Sequence, residues 1–103
     1  GRMTLLGDAA HPMLQYLAQG ACMAIEDAVV LADKLASGSD VPASLVDYQE
    51  ARYYRTGRVQ VTARLYGEFY HAADTRRELR NIYLGQRTPA EGINSMAWVY
   101  DGI

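Results

Sequence analysis

The sequence predicts a mostly α-helical chain that opens on one short strand and continues as about four helices, one of them long. Three observations carry this. From Ala21 onward, apolar residues recur at three- and four-residue spacing. Met3-Thr4-Leu5-Leu6 shows no polar alternation, the pattern of a strand buried on both faces. Gly, Ser, Asp and Pro gather at Ser37–Asp40, at Gly85 and at Thr88-Pro89, and these breaks divide the helical part.

The strand spans Met3–Leu6 and ends at Gly7-Asp8. From Asp8 to Gln19 no period is visible, and Pro12 disfavours helix through His11, so a loop is expected. The first helix runs from about Ala21 to Leu35. Ala21, Ile25, Ala28, Val29, Ala32 and Leu35 share one face, which is expected to be the buried one, with Glu26, Asp27, Asp33 and Lys34 on the wetter side. The second helix is long, from Pro42 or Ala43 to Tyr70, with Pro42 suited to a first turn. Its stripe of Leu45, Tyr48, Val59, Thr62, Ala63, Tyr66 and Phe69 is interrupted by Arg52 and Arg55. Those arginines, with Arg58 and Arg64, are expected to form a solvated face pairing with Glu50 and with the rest of a parent protein. Gly57 predicts slight bending or a close backbone contact. Asp74 or Thr75 should cap a third helix ending near Leu84. Thr88-Pro89-Ala90-Glu91 reads as a capping box that opens a final short helix carrying Ile93, Met96, Ala97 and Tyr100.

At 103 residues the chain is one domain at most. Half of the residues are hydrophobic, enough for a core, but eight are Tyr against one Phe and one Trp. Tyrosine covers area while keeping a hydroxyl that needs a partner, which suits half-wet surfaces and interfaces. A net charge of −2 offers no basic footing for nucleic acid or an anionic membrane. A single cysteine forms no internal disulfide and fits a reducing cytoplasm. No apolar run reaches the ~20 residues of a membrane span. One strand of four residues cannot satisfy its ladder alone, so the chain is expected to be the C-terminal piece of a longer protein, cut inside its sheet.

Asp8 and His11 first suggest a metal pair or part of a catalytic triad. No second His or Cys stands near with ligand spacing, His71 is remote, and no Ser occupies a strand-to-helix elbow. No metal site is expected. Asp8 at a strand end is better suited to accept hydrogen bonds from sugar or polyol hydroxyls. The N–H groups around Gly20, Ala21 and Cys22, at a positive helix end, would stabilise a carbonyl oxygen or an oxyanion. Gly20 lets a flat ring approach the backbone. The plainer alternative is that Asp8 caps a turn and Gly20 merely starts a helix.

Gly7-Asp8-Ala9-Ala10-His11-Pro12, then Gln19-Gly20-Ala21 and Glu26-Asp27-Ala28, resembles the second FAD-contact motif of the flavoprotein aromatic hydroxylases. The strong likeness covers residues 3 to 36, and the arginine-dotted long helix is similar over most of the rest. The resemblance implies a parent fold of the α/β FAD-binding type with a mixed substrate-domain sheet. Residues 1–36 would end the FAD-binding domain and 37–103 would form a C-terminal helical region. It further implies that Asp8 binds the ribityl hydroxyls of FAD and that the Ala21 and Cys22 amides, presented by Gly20, hold the pyrimidine-side oxygen of the ring. His11, Pro12 and Leu14 would line the loop beside the flavin, with Cys22 contributing backbone rather than thiol.

Gln15 departs from the pattern, since many members carry proline there, facing substrate. A glutamine offers donor and acceptor and would hold a phenol or steer where oxygen is delivered. The alternative is a loop glutamine turned to backbone. Gln15-Tyr16 is more similar to the branch that converts 3-hydroxybenzoate to gentisate than to the salicylate branch. The implied activity is therefore FAD-dependent hydroxylation of a small aromatic acid with NADH and O2. The family's Gly-rich fingerprint and most of its substrate sheet are not in these residues, so the fragment alone is expected to be inactive and to bind FAD weakly or not at all. The rival reading is an inert helical fragment that self-associates through Tyr53, Tyr54, Tyr66, Tyr70, Tyr83 and Tyr100, with Met3–Leu6 paired or disordered.

Overall fold

The computed structural model describes residues 1–101. Four helices follow an irregular start: α1 (Gly20–Ser37), α2 (Val41–Tyr70), α3 (Asp74–Gly85) and α4 (Pro89–Tyr100). Contacts divide the chain into two compact units, Gly1–Arg64 and Leu65 onward.

The expected strand is absent: no strand forms among the described residues. Leu6 keeps extended angles (φ −144°, ψ 164°), the Leu5 carbonyl accepts the Tyr48 hydroxyl at 3.2 Å, and Met3 is 93% exposed. The reason is physical. A strand exists only as a member of a ladder, and no second extended segment stands beside this one, so its backbone groups turn to a side chain and to solvent. The stretch expected as featureless loop contains two single 3₁₀ turns, Gly7–Ala9 and Gln15–Leu17. Ala18 closes the second in the left-handed region (φ 52°).

Within the first unit, α1 turns the opposite way from its apolar pattern. Ile25, Val29 and Leu35 are exposed, whereas Met23 and Asp27 are fully buried. The α2 stripe explains this. Tyr48, Arg52, Thr56, Val59 and Ala63 are buried together at helical spacing, so the guanidinium that interrupts the apolar run faces inward and draws the acidic side of α1 towards it. The solvated arginine face expected here does not hold for Arg52, which is 4% exposed. The turn between α1 and α2 depends on Gly38, where a Cβ would lie 2.0 Å from the Ser44 hydroxyl oxygen. The Asp40 carboxylate then caps α2 by accepting from the Ala43 amide at 3.1 Å. Gly57 has open space where a Cβ would stand, so no close contact explains it.

The second unit is held by rings. Tyr66 and Tyr70 meet edge to face with centroids 5.7 Å apart, and Phe69 and Tyr83 do so at 6.3 Å. The Tyr66 hydroxyl donates to the Met96 sulfur at 3.1 Å, and the Arg87 guanidinium lies 5.0 Å from the Tyr83 ring centre. The capping box at Thr88 forms as expected, with Thr88 and Glu91 bonded reciprocally. The cap expected at Asp74 does not: Ala73 takes the N-cap position without a side-chain bond, and Asp74 sits in the left-handed region at φ 50°.

Candidate functional site

The site begins with the backbone at Gly7. Its φ of +59° is one that a side chain disfavours, and a Cβ there would press on the Ala24 methyl at 3.2 Å. Gly7 is thereby able to lie against α1 one turn from the helix start. The next residue, Asp8, is exposed. Its Oδ1 lies 3.8 Å from the point a Gly20 Cβ would occupy, with the Met13 Cγ 3.9 Å from the same point. The Asp8 carboxylate and the tip of α1 are therefore side by side. Among the described residues no side chain caps that tip, and Gln19 occupies the N-cap position without a side-chain hydrogen bond. The N-terminal amides of α1 are thus not taken up by a cap, and the dipole there favours an electron-rich partner.

Most of the other expected site residues are exposed. Ala21 and Cys22 lie exposed in the first turn of α1, and Cys22 is a free thiol. Pro12 is exposed, and its carbonyl accepts from the Gln60 side chain at 2.7 Å. Gln15 is exposed at the start of the second 3₁₀ turn, where its carbonyl accepts from Ala18. His11 differs from these. It is buried, and its Nε2 is 2.5 Å from Asp27 Oδ2.

That contact belongs to a cluster of charged groups which sequence reasoning missed. The Gly7 amide also donates to Asp27 Oδ2, at 2.8 Å. Arg52 Nε donates to Asp27 Oδ1 at 2.7 Å and Arg52 Nη1 approaches Glu26 Oε2 at 2.9 Å. Arg55 takes Glu26 in a fork, Nε to Oε2 and Nη2 to Oε1, both at 2.7 Å. Burial raises the Asp27 pKa, but the Gly7 amide, Arg52 and His11 together outweigh it and leave it below the usual carboxylate range. Arg55 is the main cause of the lowered Glu26 pKa, with Arg52 adding to it against some burial. Burial and the Asp27 charge push the Tyr48 phenol up. A signal for this cluster was present in two charged residues breaking an otherwise apolar stripe, opposite an adjacent Glu-Asp pair.

A cavity of about 380 Å³ opens beside His11, Tyr48 and Arg52, and neither Asp8 nor Gly20 lines it. Among the described residues, no group of His, Cys, Asp and Glu could hold a metal ion, and no helix is long and apolar enough to cross a membrane.

Comparison with known proteins gives the family of the chain. A family model described as FAD binding domain matches residues 1–63. The chain belongs to that family. It is 50% identical over 101 residues to 3-hydroxybenzoate 6-hydroxylase 1 of Aquipseudomonas alcaligenes, covering 97% of this chain and 26% of that protein. It is 46% identical over 101 residues to the 3-hydroxybenzoate 6-hydroxylase of Polaromonas naphthalenivorans, with 97% and 25% covered. It is equally 46% identical, over 102 residues, to the 3-amino-4-hydroxybenzoate 2-monooxygenase PtnB3 of Streptomyces platensis, again with 97% and 25% covered. The chain thus spans about a quarter of the length of these relatives. The residues present suit the cofactor of the family: an exposed carboxylate able to accept hydroxyl hydrogen bonds, beside a helix start whose N-cap residue makes no side-chain bond and where glycine leaves room.

Proposed function

We propose that this chain is the C-terminal part of an FAD-dependent aromatic hydroxylase that converts 3-hydroxybenzoate to gentisate with NADH and O2 in the cytoplasm. The observation that carries the reading is the closeness of Asp8 Oδ1 to Gly20 at the uncapped start of α1. One flavin reaches both features. Asp8 accepts hydrogen bonds from the ribityl hydroxyls, and the Ala21 and Cys22 amides donate to the pyrimidine-side oxygen, where the helix end stabilises negative charge. Gly20 keeps the approach open, and Pro12 forms part of the loop beside the ring. His11 serves the same loop from beneath, through Asp27. FAD, when bound, supplies electron transfer from NADH and the activation of O2.

Gln15 stands at the substrate wall, where its amide holds the substrate phenol by donating or accepting a hydrogen bond. The substrate assignment leans on the relatives named 3-hydroxybenzoate 6-hydroxylase, set against the one named for an aminohydroxybenzoate. The test is product analysis with the full-length protein. Supplied with 3-hydroxybenzoate, NADH and O2, it should release gentisate, and Gln15→Pro should slow turnover or move the hydroxyl. Turnover of 3-amino-4-hydroxybenzoate alone would replace the substrate assignment, and an unchanged Gln15→Pro enzyme would remove Gln15 from the mechanism.

For the 103 residues by themselves we propose weak or no flavin binding and self-association. Exposed apolar residues on α1 and α2, among them Ile25, Val29, Tyr53 and Tyr54, favour that outcome. A sizing column run with FAD should give a dimer or larger species free of flavin. A yellow monomer would contradict both statements.

A further inference from the structure

We infer that Asp27 is a positioning residue that sets the spacing between the Asp8 carboxylate and the tip of α1, by holding both ends of the loop that carries Asp8. One carboxylate oxygen, Oδ2, takes the Gly7 amide and the His11 imidazole, the residues flanking Asp8-Ala9-Ala10. The loop closes on itself as well, since the Ala10 and His11 amides both donate to the Gly7 carbonyl at 2.9 Å. The other oxygen, Oδ1, is occupied by Arg52 from α2. Asp27 lies in α1 itself, seven residues past Gly20, so helix geometry fixes its height below the tip. The distance from tip to Asp8 is then determined by one rigid helix and two short hydrogen bonds.

A carboxylate is needed here because its oxygens only accept, and three donors converge on it. An amide in its place keeps one acceptor oxygen and presents an N–H₂ to donors on its other side. The same logic fixes the histidine: Nε2 carries the proton given to Asp27, and Nδ1 is buried without a partner. The Nε2 bond to Asp27 is the side-chain hydrogen bond that ties the ring to α1.

The functional consequence rests on the flavin reading above, and three variants of the full-length protein separate the two. Each is measured for FAD affinity, thermal midpoint and hydrogen exchange of the peptide spanning Gly7–His11. Asp27→Asn should weaken FAD binding at least tenfold and speed exchange in that peptide at least tenfold. Glu26→Gln disturbs the same arginines without touching Gly7 or His11, so it should lower the midpoint while FAD affinity stays within twofold and the peptide stays protected. Asp8→Asn should weaken FAD binding with exchange unchanged. If Asp27→Asn fails to fold, His11→Leu, which has no donor for Asp27, frees one end of the loop alone and should raise exchange and weaken FAD binding in the same direction. Unchanged exchange in the Asp27 or His11 variant overturns the positioning role, as does an equal loss of FAD affinity in Glu26→Gln. An unaltered FAD affinity in Asp8→Asn overturns the flavin reading, and the exchange measurement still decides the role of Asp27.

Discussion

In Gly1–Arg64 the groups withdrawn from solvent include a carboxylate, a guanidinium and an imidazole bonded to one another, whereas from Leu65 onward the helices meet through Tyr66, Phe69, Tyr70 and Tyr83. The two solutions differ in what they specify. Hydrogen-bonded charges hold distances within narrow limits and tolerate little substitution, because an uncompensated buried charge is costly. Ring contacts accept a range of angles and lose only modest energy when one is altered. The stricter chemistry lies in the unit that carries Asp8 and Gly20, where the proposed flavin contacts would depend on spacing. The looser chemistry lies in the unit with no expected site residue.

Four measurements test this contrast. The largest effect is expected from Arg52→Ala, which leaves Asp27 Oδ1 and part of Glu26 without their guanidinium. It should cost about 3–5 kcal/mol in a denaturant melt, and a loss under 1 kcal/mol would show that the cluster is not a structural centre.

Acid should act on the same groups. Both Asp27 and Glu26 titrate lower in the folded chain than in the unfolded one. Their contribution is therefore complete above the ordinary carboxylate range and is lost as pH falls below about 4. Hydrogen exchange on lowering pH should show the first unit opening first. Glu91 in the second unit is also lowered, by the Thr88 amide and hydroxyl, but it is exposed and caps only the start of one short helix. Opening of the second unit first would reverse the comparison.

Gly38→Ala comes next, since its methyl would collide with the Ser44 hydroxyl. A cost of about 1–3 kcal/mol is expected, and a neutral result would mean that the α1–α2 turn adapts freely. The smallest effect belongs to the second unit. Tyr83→Leu keeps apolar bulk while removing the edge contact with Phe69 and the Arg87 stacking, and should cost about 0.5–1.5 kcal/mol.

Much of the helical frame was legible in the sequence because its punctuation is local. Ser37–Asp40, Gly85 and the Thr88–Glu91 box each act within a few residues of chain. The strand was not legible correctly, since Met3–Leu6 has the apolar run of a strand but its ladder depends on residues elsewhere. The facing of α1 was misjudged for a related reason. Hydrophobic periodicity assumes that charge points outward, and Arg52 reversed this by offering Glu26 and Asp27 partners across the helix pair. At the site, Asp8 and Gly20 could be singled out by what each residue type can do. The role of His11 could not, because its partner Asp27 lies 16 residues away in the chain.

The central claim, that one flavin is held by the Asp8 carboxylate and by the tip of α1, is tested most directly by the structure of the full-length protein with FAD bound. It should show Asp8 about 3 Å from a ribityl hydroxyl and the Ala21 or Cys22 amide about 3 Å from the pyrimidine-side oxygen of the same flavin. A flavin bound elsewhere, with Asp8 bonded only to protein or solvent, would contradict it.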